Sequence, residues 1–254
     1  MQSADIDPVK FVAAGLVAGR LSDTQLKQAL RLRALVFRNG GDDWDGHDPA
    51  AWHFGVWAAD RPGDILCTFR VFYHDTPGGV INGYSGARYD LTNLSHHMGM
   101  GVELGRFCIC PQAHNPNILR MAWAVLTRLV DILGADMLFG LSSFPGINPR
   151  FTPGGPALAA LVARNPAPSH MAPLPTAGQV NVPLAAPTPN NQLRPGDLPP
   201  LVRTYLSMNA WFSGHYVVDH DLNTHNLFTC VEIAKVPETR ARLLRRAAGL
   251  VAAV

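Results

Sequence analysis

Apolar stretches alternate with short polar segments along the chain, and their spacing predicts both strands and helices. Phe11 to Arg20 is apolar and short, which is typical of an opening strand. The Ser22-x-x-Gln25 pattern that follows is a capping box, and it predicts a helix over about residues 23–38. The inward face of this helix is predicted to contain Leu26, Ala29, Leu30, Ala34 and Phe37, with Arg33 on the same face.

The rest of the chain continues this alternation. A polar acidic loop over 39–52 is followed by a predicted hairpin, then by a long connection and a strand-helix-strand segment. The predicted strands are His53–Ala58, Ile65–Tyr73 (after a turn at 60–64), 101–110, Asp136–Leu141, Trp211–Asp219 and Leu227–Ile233. The predicted helices are Ile118–Leu133, Ala157–Arg164, Leu201–Met208 and a basic terminal helix over about 237–253.

These elements indicate a mixed α/β (α+β) fold with a largely antiparallel central sheet flanked by helices. One strand-helix-strand crossover, between about residues 102 and 141, is the candidate active region. The segment at about 145–200 is rich in proline and is expected to be mostly irregular. A chain of 254 residues without an internal repeat is predicted to form a single domain, 1–254.

Composition and charge indicate where the protein acts and which classes of partner it is expected to bind. The net charge of +2 gives no reason to expect nucleic-acid binding. The polar, acidic start at 1–7 lacks the features of an export signal, and no segment is apolar enough to span a bilayer. We therefore expect a cytoplasmic protein with free cysteines, and we leave open a peripheral contact with the cytoplasmic membrane.

Glu103 and Arg106 are the residues of the crossover region with the clearest chemistry. In a regular strand they point to opposite faces, but a bulge at Gly105 would bring them to the same side. A carboxylate among apolar neighbours suits a general base that works near neutral pH. An ordinary ion pair within the sheet is the alternative on residue types alone.

The motif Glu103-x-x-Arg106 resembles the fourth-strand motif of acyl-homoserine-lactone synthases and ornithine lipid N-acyltransferases, two groups of the GNAT fold. Other positions are similar to the same group in order and spacing. They are Arg33-x-x-x-Phe37, the acidic loop with Asp43, Asp45 and Asp48, the following His53, and Thr68-Phe69-Arg70, in which Cys67 stands in place of the usual glycine. Farther along, 138–146, 198–206 and 218–224 look like the ornithine enzymes and not like the shorter lactone synthases.

The resemblance implies an amide-forming N-acyltransferase that uses an acyl-carrier-protein thioester. It implies a 3-hydroxyacyl chain passing to the α-amine of ornithine or a related amino acid or aminosulfonate, the first step of aminolipid synthesis. A lactone synthase that uses S-adenosylmethionine and a silent module that binds acyl carrier protein are the alternatives. Coenzyme A is a weaker fit, because the turn at 112–117 lacks the glycines that usually cradle its pyrophosphate.

The implied roles fall into three sets, and no metal is expected. Glu103 takes the proton from the amine, while Arg106 and Arg70 orient the acidic loop or the carboxylate of the acceptor. Substrate contacts are predicted at Arg33, Phe37, Asp43, Asp45, Asp48, Ser142, Ser143 and Tyr205. Contacts with the 4'-phosphopantetheine of acyl carrier protein are predicted at Phe107, Cys108, Ile109 and Asn117. Tyr205 is also a candidate proton donor to the leaving thiolate, with plain packing as its alternative.

Overall fold

The computed structural model of the chain describes residues 9–145, 156–184 and 198–249. In these ranges, strands predominate at the start and near the end of the chain. The strands are β1 (Lys10–Ala13), β2 (Leu16–Arg20), β3 (Trp52–Ala58), β4 (Arg61–His74), β5 (Gly101–Ile109), β6 (Met137–Pro145), β7 (Asn181–Pro183), β8 (Trp211–Phe212), β9 (His215–Asp219) and β10 (Thr224–Glu232). The helices are α1 (Asp23–Phe37), α2 (Pro77–Ile81), α3 (Thr92–Ser95), α4 (Pro116–Leu133), α5 (Pro156–Arg164), α6 (Pro200–Leu206) and α7 (Glu238–Ala247).

The chain divides into two compact units, and the first contains the described residues 9–73, 104–135 and 238–249. Its strands lie in the order β1-β2-β3-β4-β5, and the pairs from β1 to β4 are antiparallel. Helix α4 packs on β1, β2 and β3 and also contacts α7. One apolar cluster of this unit joins α1 to the strands, and it contains Val17, Ala29, Leu32, Trp57, Ile65 and Cys108.

The second unit contains the described residues 74–103, 136–145, 156–184 and 198–237. Its strands lie in the order β6-β10-β9-β7, and β8 also pairs with β10. The antiparallel pair of β6 and β10 is the longest, running from Met137 opposite Glu232 to Pro145 opposite Thr224. Its core contains buried aromatic and aliphatic residues, among them Tyr89, Leu94, Met98, Phe139, Trp211 and Phe228.

Local chemistry fixes the start of two helices. The Ser22 hydroxyl accepts a hydrogen bond from the Gln25 backbone N–H, and the Gln25 side chain accepts one from the Ser22 backbone N–H. The predicted capping box is therefore confirmed. Helix α4 begins after Asn115, whose side chain accepts from the Asn117 N–H at 2.9 Å, and it ends at Gly134, where φ is +60°.

Several predicted elements need correction. The opening strand is a hairpin of β1 and β2, because Ala14 and Gly15 adopt φ of 52° and 73° and turn the chain back. The predicted turn over 60–64 is shorter, since β4 already begins at Arg61. Strand β6 continues beyond Leu141 as far as Pro145.

Two further corrections concern the second unit and the face of α1. The single strand predicted over 211–219 is two strands, since the backbone breaks at 213–214, where the Ser213 hydroxyl donates to the His215 carbonyl at 2.7 Å. On α1, Ala29, Arg33 and Ala34 are buried as predicted, but Leu26 and Leu30 are only half-buried. Leu32 is buried as well, so the inward face is rotated from the predicted one.

Other predictions hold in the described ranges. The chain runs strand, helix, strand through β5, α4 and β6, and helix α5 interrupts the proline-rich segment at 156–164. Parts of that segment, 146–155 and 185–197, and residues 250–253 of the predicted terminal helix lie outside the described residues. All four cysteines are free thiols. None of the described helices combines the length and the apolar character needed to cross a membrane. The single-domain organisation stays a prediction.

Candidate active site

The loop between α1 and β3 folds around its own carboxylates in the first unit. Asp48 accepts a hydrogen bond from the Asp45 backbone N–H at 2.8 Å, and Asp45 accepts one from the His47 N–H at 2.9 Å. Asp43 and Asp48 are both buried. Because buried carboxylates need positive partners, this loop depends on the arginines that surround it.

Arg33, on α1, binds two of these carboxylates. Its Nε donates to Asp43 Oδ2 at 2.7 Å, and its Nη2 donates to the Asp43 carbonyl at 2.6 Å. Nη1 and Nη2 reach the two oxygens of Asp48 at 2.7 and 3.0 Å. Arginine is the one side chain that presents donors in a planar fork of this kind, which explains an arginine on the inward face of the helix.

Three more arginines close the same network. Arg70 Nη1 from β4 lies 2.6 Å from Asp45 Oδ1 and 3.0 Å from Asp48 Oδ1. Arg106 from β5 donates to Asp43 Oδ2 at 3.0 Å and to Asp45 Oδ2 at 3.1 Å. Arg38 donates to Asp43 Oδ1 at 3.0 Å. One largely buried ionic cluster therefore contains the predicted residues Arg33, Asp43, Asp45, Asp48, Arg70 and Arg106.

The cluster keeps its members charged. Burial alone would raise the pKa of Asp45, but hydrogen bonds and charge from Arg70 and Arg106 lower it well below its usual value. The pKa of Asp48 is lowered in the same way, against burial, chiefly by Arg33 and the Asp45 N–H. The pKa of Arg33 is raised by its two carboxylate partners although burial opposes this. We conclude that all three groups are ionised at neutral pH.

Phe37 and His53 border the cluster. The Arg106 guanidinium lies over the Phe37 ring at 5.7 Å from its centroid, in the range of a cation–π contact. His53 Nε2 lies 3.0 Å from the Asp48 carbonyl, and burial is the main cause that lowers its pKa. His53 thus contacts the acidic loop itself, and Phe37 contacts one of the arginines that bind the loop.

Strand β5 departs from regular geometry at Arg106, where φ is +51°. This left-handed residue lies one position after Gly105, where the irregularity was expected. A methyl group at Gly105 would lie 3.3 Å from Arg70 Nε, so a glycine allows the arginine to approach the strand closely. That Glu103 and Arg106 share one face stays a prediction.

Glu103 belongs to the second unit and is almost completely enclosed, with 1% exposure. Its Oε1 accepts a hydrogen bond from the Ser85 backbone N–H at 2.6 Å, and its Oε2 lies 2.8 Å from His74 Nε2. The carboxylate is thus held at both oxygens by groups from two other segments of the chain. A carboxylate held in this way can accept a proton at a fixed position.

Two other predicted substrate residues of the second unit, Ser142 and Ser143, are adjacent on β6, which pairs with β10. The Ser142 hydroxyl lies 2.7 Å from that of Thr229, while the exposed Ser143 donates to Asn226 Oδ1 at 2.7 Å. Because adjacent residues of a strand point to opposite faces, Ser142 and Ser143 cannot serve the same site through their side chains. Tyr205 on α6 is buried, and burial raises its pKa, so its hydroxyl stays protonated.

The predicted pantetheine residues are on β5 and at the start of α4. Phe107 and Ile109 are half-buried, whereas Cys108 is buried and burial raises its pKa to about 12. A thiol with that pKa is neutral at physiological pH, which matches its packing in the apolar cluster. The Asn117 N–H is already bonded to the cap residue Asn115. The binding roles of these residues, like those of the other predicted site residues, stay predictions.

Sequence reasoning missed His74, Ser85 and Arg38. His74 is separated from Glu103 by 29 positions and Ser85 by 18, so no local pattern connects them. The only signal for His74 is its place at the end of a strongly apolar strand. Arg38 directly follows α1 and could have been identified as a basic residue near the helix end.

Comparison with known proteins gives matches along most of the chain. Residues 32–124 match the family model described as an acetyltransferase (GNAT) domain. A protein of Agrobacterium fabrum named L-ornithine N(alpha)-acyltransferase is 26% identical over 234 residues, covering 88% of this chain and 78% of that protein. A protein of the same name from Rhizobium meliloti is 27% identical over 251 residues, covering 92% and 78%. Among solved structures, a CoA-dependent acyl-homoserine lactone synthase superposes with a TM-score of 0.45 and 11% identity over 90% of each chain.

Proposed function

Because the chain is an amide-forming N-acyltransferase with a GNAT domain, we propose that it transfers a 3-hydroxyacyl chain from acyl carrier protein to the α-amine of ornithine. The product would be a lyso-lipid that a later esterification completes. The observation that carries the choice of acceptor is the similarity of this chain, over most of its length, to four proteins named for that activity.

The GNAT fold, the acyltransferase activity and the resemblance to the ornithine enzymes are predictions from the sequence that these matches confirm. The lactone-synthase alternative finds support only as a related fold. The silent-module alternative has no observation in its favour. An amide-forming acyltransferase requires an acyl donor and an amine, and the identity of each is what we propose here.

The proposed reaction is a direct transfer. The neutral amine attacks the thioester carbonyl, a C–N bond forms, and the C–S bond breaks as the pantetheine thiolate leaves. As the C–N bond forms, the amine nitrogen becomes positively charged and must lose one proton, which we assign to Glu103. The hydrogen bonds from Ser85 and His74 support this role because they fix the carboxylate at both oxygens. No covalent intermediate with the enzyme is required.

The arginines and carboxylates of the first unit would then have a structural and an orienting role. Arg33, Asp43 and Asp48 satisfy one another inside the cluster. The side chain of Asp45 retains 22% exposure, the largest of the three carboxylates in the ionic cluster. We therefore propose that Asp45 contacts the cationic end of the acceptor, and that Arg70 and Arg106 hold it in place.

For the donor, we propose the phosphopantetheine of acyl carrier protein and not coenzyme A. The turn before α4 has no glycine, and Asn115 caps its first N–H groups with a side chain. A single phosphodiester needs fewer exposed N–H groups than a pyrophosphate does, so such a helix start is sufficient. Phe107, Cys108, Ile109 and Asn117 are the proposed contacts.

We also propose that the enzyme acts in the cytoplasm, where acyl carrier protein is available, and that it contacts the membrane only at its surface. Helix α7 supplies an exposed basic segment for such contacts. On this helix, Arg245 pairs with Asp131 of α4 and Arg242 pairs with Glu238. These ion pairs partly neutralise the positive charge of α7. The remaining charge favours weak contact with an acidic carrier or lipid surface over permanent anchoring.

The test is a transfer assay with purified protein, in which mass spectrometry follows the product. The donors are acyl-carrier-protein thioesters of a 3-hydroxyacyl chain and of the same chain without the hydroxyl group. The matching coenzyme A thioesters are tested beside them. Acceptors are ornithine, glutamine, lysine, a small aminosulfonate and S-adenosylmethionine. We expect N-acylornithine, with carrier-protein thioesters as the better donors. No acylated amino acid from any pair, or a lactone from S-adenosylmethionine, would overturn the proposal.

A further inference from the structure

His74 and Glu103 form a buried pair that the sequence does not reveal. The imidazole Nε2 lies 2.8 Å from Glu103 Oε2, and both side chains have less than a tenth of their surface exposed. An ionised carboxylate only accepts hydrogen bonds, so Nε2 carries the proton and donates it to Oε2. With the Ser85 N–H on Oε1, each carboxylate oxygen has a charge-assisted hydrogen bond.

The backbone around the pair leaves little room. A methyl group at Gly83 would lie 2.9 Å from Glu103 Oε2 and 3.0 Å from His74 Cε1. The Phe139 ring stacks on the imidazole with centroids 5.7 Å apart and planes 28° from parallel. The imidazole therefore packs on an aromatic ring and close to a glycine, and its Nε2 is directed at the carboxylate.

The groups facing the Glu103 carboxylate come from two segments. Strand β4 contributes His74, and the connection between α2 and α3 contributes Gly83 and the Ser85 N–H. Of these three, only the imidazole is titratable. The Ser85 hydroxyl is itself buried and has no hydrogen-bond partner among the described residues.

We infer that His74 is a positioning residue for Glu103: its N–H keeps the carboxylate oriented and ionised until the amine gives up its proton. This inference rests on the proposed function, in which Glu103 is the base. In the transfer step the N–H bond of the amine breaks and its proton passes to the Glu103 carboxylate. The electron pair of that bond stays on the nitrogen that forms the amide.

The test compares His74→Phe with His74→Gln and with wild-type protein. Phenylalanine keeps a ring against Phe139 but has no donor, while glutamine restores an N–H near the same place. In His74→Phe we expect the acid limb of the kcat profile to move to higher pH by about one to two units, because a charge-assisted hydrogen bond to the ionised form is lost. His74→Gln should recover at least half of that shift. His97→Phe, at an exposed histidine of the same unit, should keep the wild-type profile.

A merely structural role gives a different result. If His74→Phe lowers kcat equally at every pH and leaves the limb in place, the inference is wrong. A second measurement does not depend on turnover: NMR of protein with labelled glutamate carboxyls, with the Glu103 signal assigned by its loss in Glu103→Gln. The titration midpoint of Glu103 should move to higher pH in His74→Phe, and an unchanged midpoint would overturn the inference. If only the assay with ornithine fails, the proposed acceptor is wrong. The role of His74 beside Glu103 is then tested by the NMR measurement.

Discussion

Arg33 and Asp48 meet as a two-pronged ion pair inside the protein, with Nη1 and Nη2 at 2.7 and 3.0 Å from the two carboxylate oxygens. Neither side chain has more than 2% exposure. The same Asp48 carboxylate also receives Arg70 Nη1 at 3.0 Å and the Asp45 N–H. The pair thus connects α1, the acidic loop and β4 of the first unit, so each partner is needed to keep the others satisfied.

Arg33→Lys is expected to reduce the free energy of unfolding by about 3 kcal/mol, because breaking a buried, paired charge typically costs that much. Lysine keeps the charge, but a single ammonium cannot replace three donor nitrogens that reach two carboxylates and one carbonyl. Urea denaturation followed by circular dichroism measures the change.

Arg31→Lys is the matched control, since Arg31 lies on the same helix but is exposed. This change should alter the unfolding free energy by less than about 0.5 kcal/mol. Equal effects of the two substitutions would show that the fork geometry of Arg33 contributes nothing specific.

Asp48→Asn should make stability less dependent on pH in the acid range. The pKa of Asp48 is lowered in the folded protein, so its stabilising contribution is complete above the unfolded value of about 4 and is lost as pH falls through the folded value. The variant should be less stable than wild type at pH 7, and the gap should narrow below about pH 4.

Unfolding free energies from urea titrations at several pH values test this directly. Asp60→Asn serves as the control, because the Asp60 side chain is 80% exposed. A gap between wild type and Asp48→Asn that stays constant down to about pH 2 would contradict the linkage argument.

Local patterns explain most of what could be predicted from the sequence. The capping box at Ser22 and the motif spacing identified α1 and the acidic loop, because those signals lie within a few residues. Helical spacing also predicts an arginine on the inward face of α1, and a buried charge there requires acidic partners. The apolar run from Phe11 to Arg20 hid its turn, because Ala14 is not a typical residue for a left-handed position.

The partners of Glu103 could not be predicted, because they depend on how β4 is placed beside β5. His74 is the last residue of β4, and a shift of one position would turn it to the other face. Ser85 contributes a backbone N–H, which any residue has, so no side-chain pattern could indicate it. The site around the proposed base is therefore a property of tertiary structure.

Asn115→Ala is expected to lower stability by about 1 kcal/mol, since the side chain that accepts from the Asn117 N–H at the start of α4 is lost. Asn115→Asp should retain stability, because a carboxylate accepts the same bond and also interacts well with the positive end of the helix. Thermal unfolding of the three proteins gives the comparison. If Asn115→Asp destabilises the protein as much as Asn115→Ala does, the side-chain cap does not stabilise α4.

Glu103→Gln is expected to reduce kcat for acyl transfer by about 10²- to 10⁴-fold, the contribution usual for a general base, while the protein still folds. Glutamine keeps the shape of the side chain, and its carbonyl oxygen can still accept from the Ser85 N–H. It cannot take a proton from the amine. Glu238→Gln, whose side chain is 88% exposed on α7, controls for the loss of one charge. Turnover by Glu103→Gln at the wild-type rate would remove Glu103 as the base, and near-native unfolding curves would exclude a folding defect as the cause of any loss.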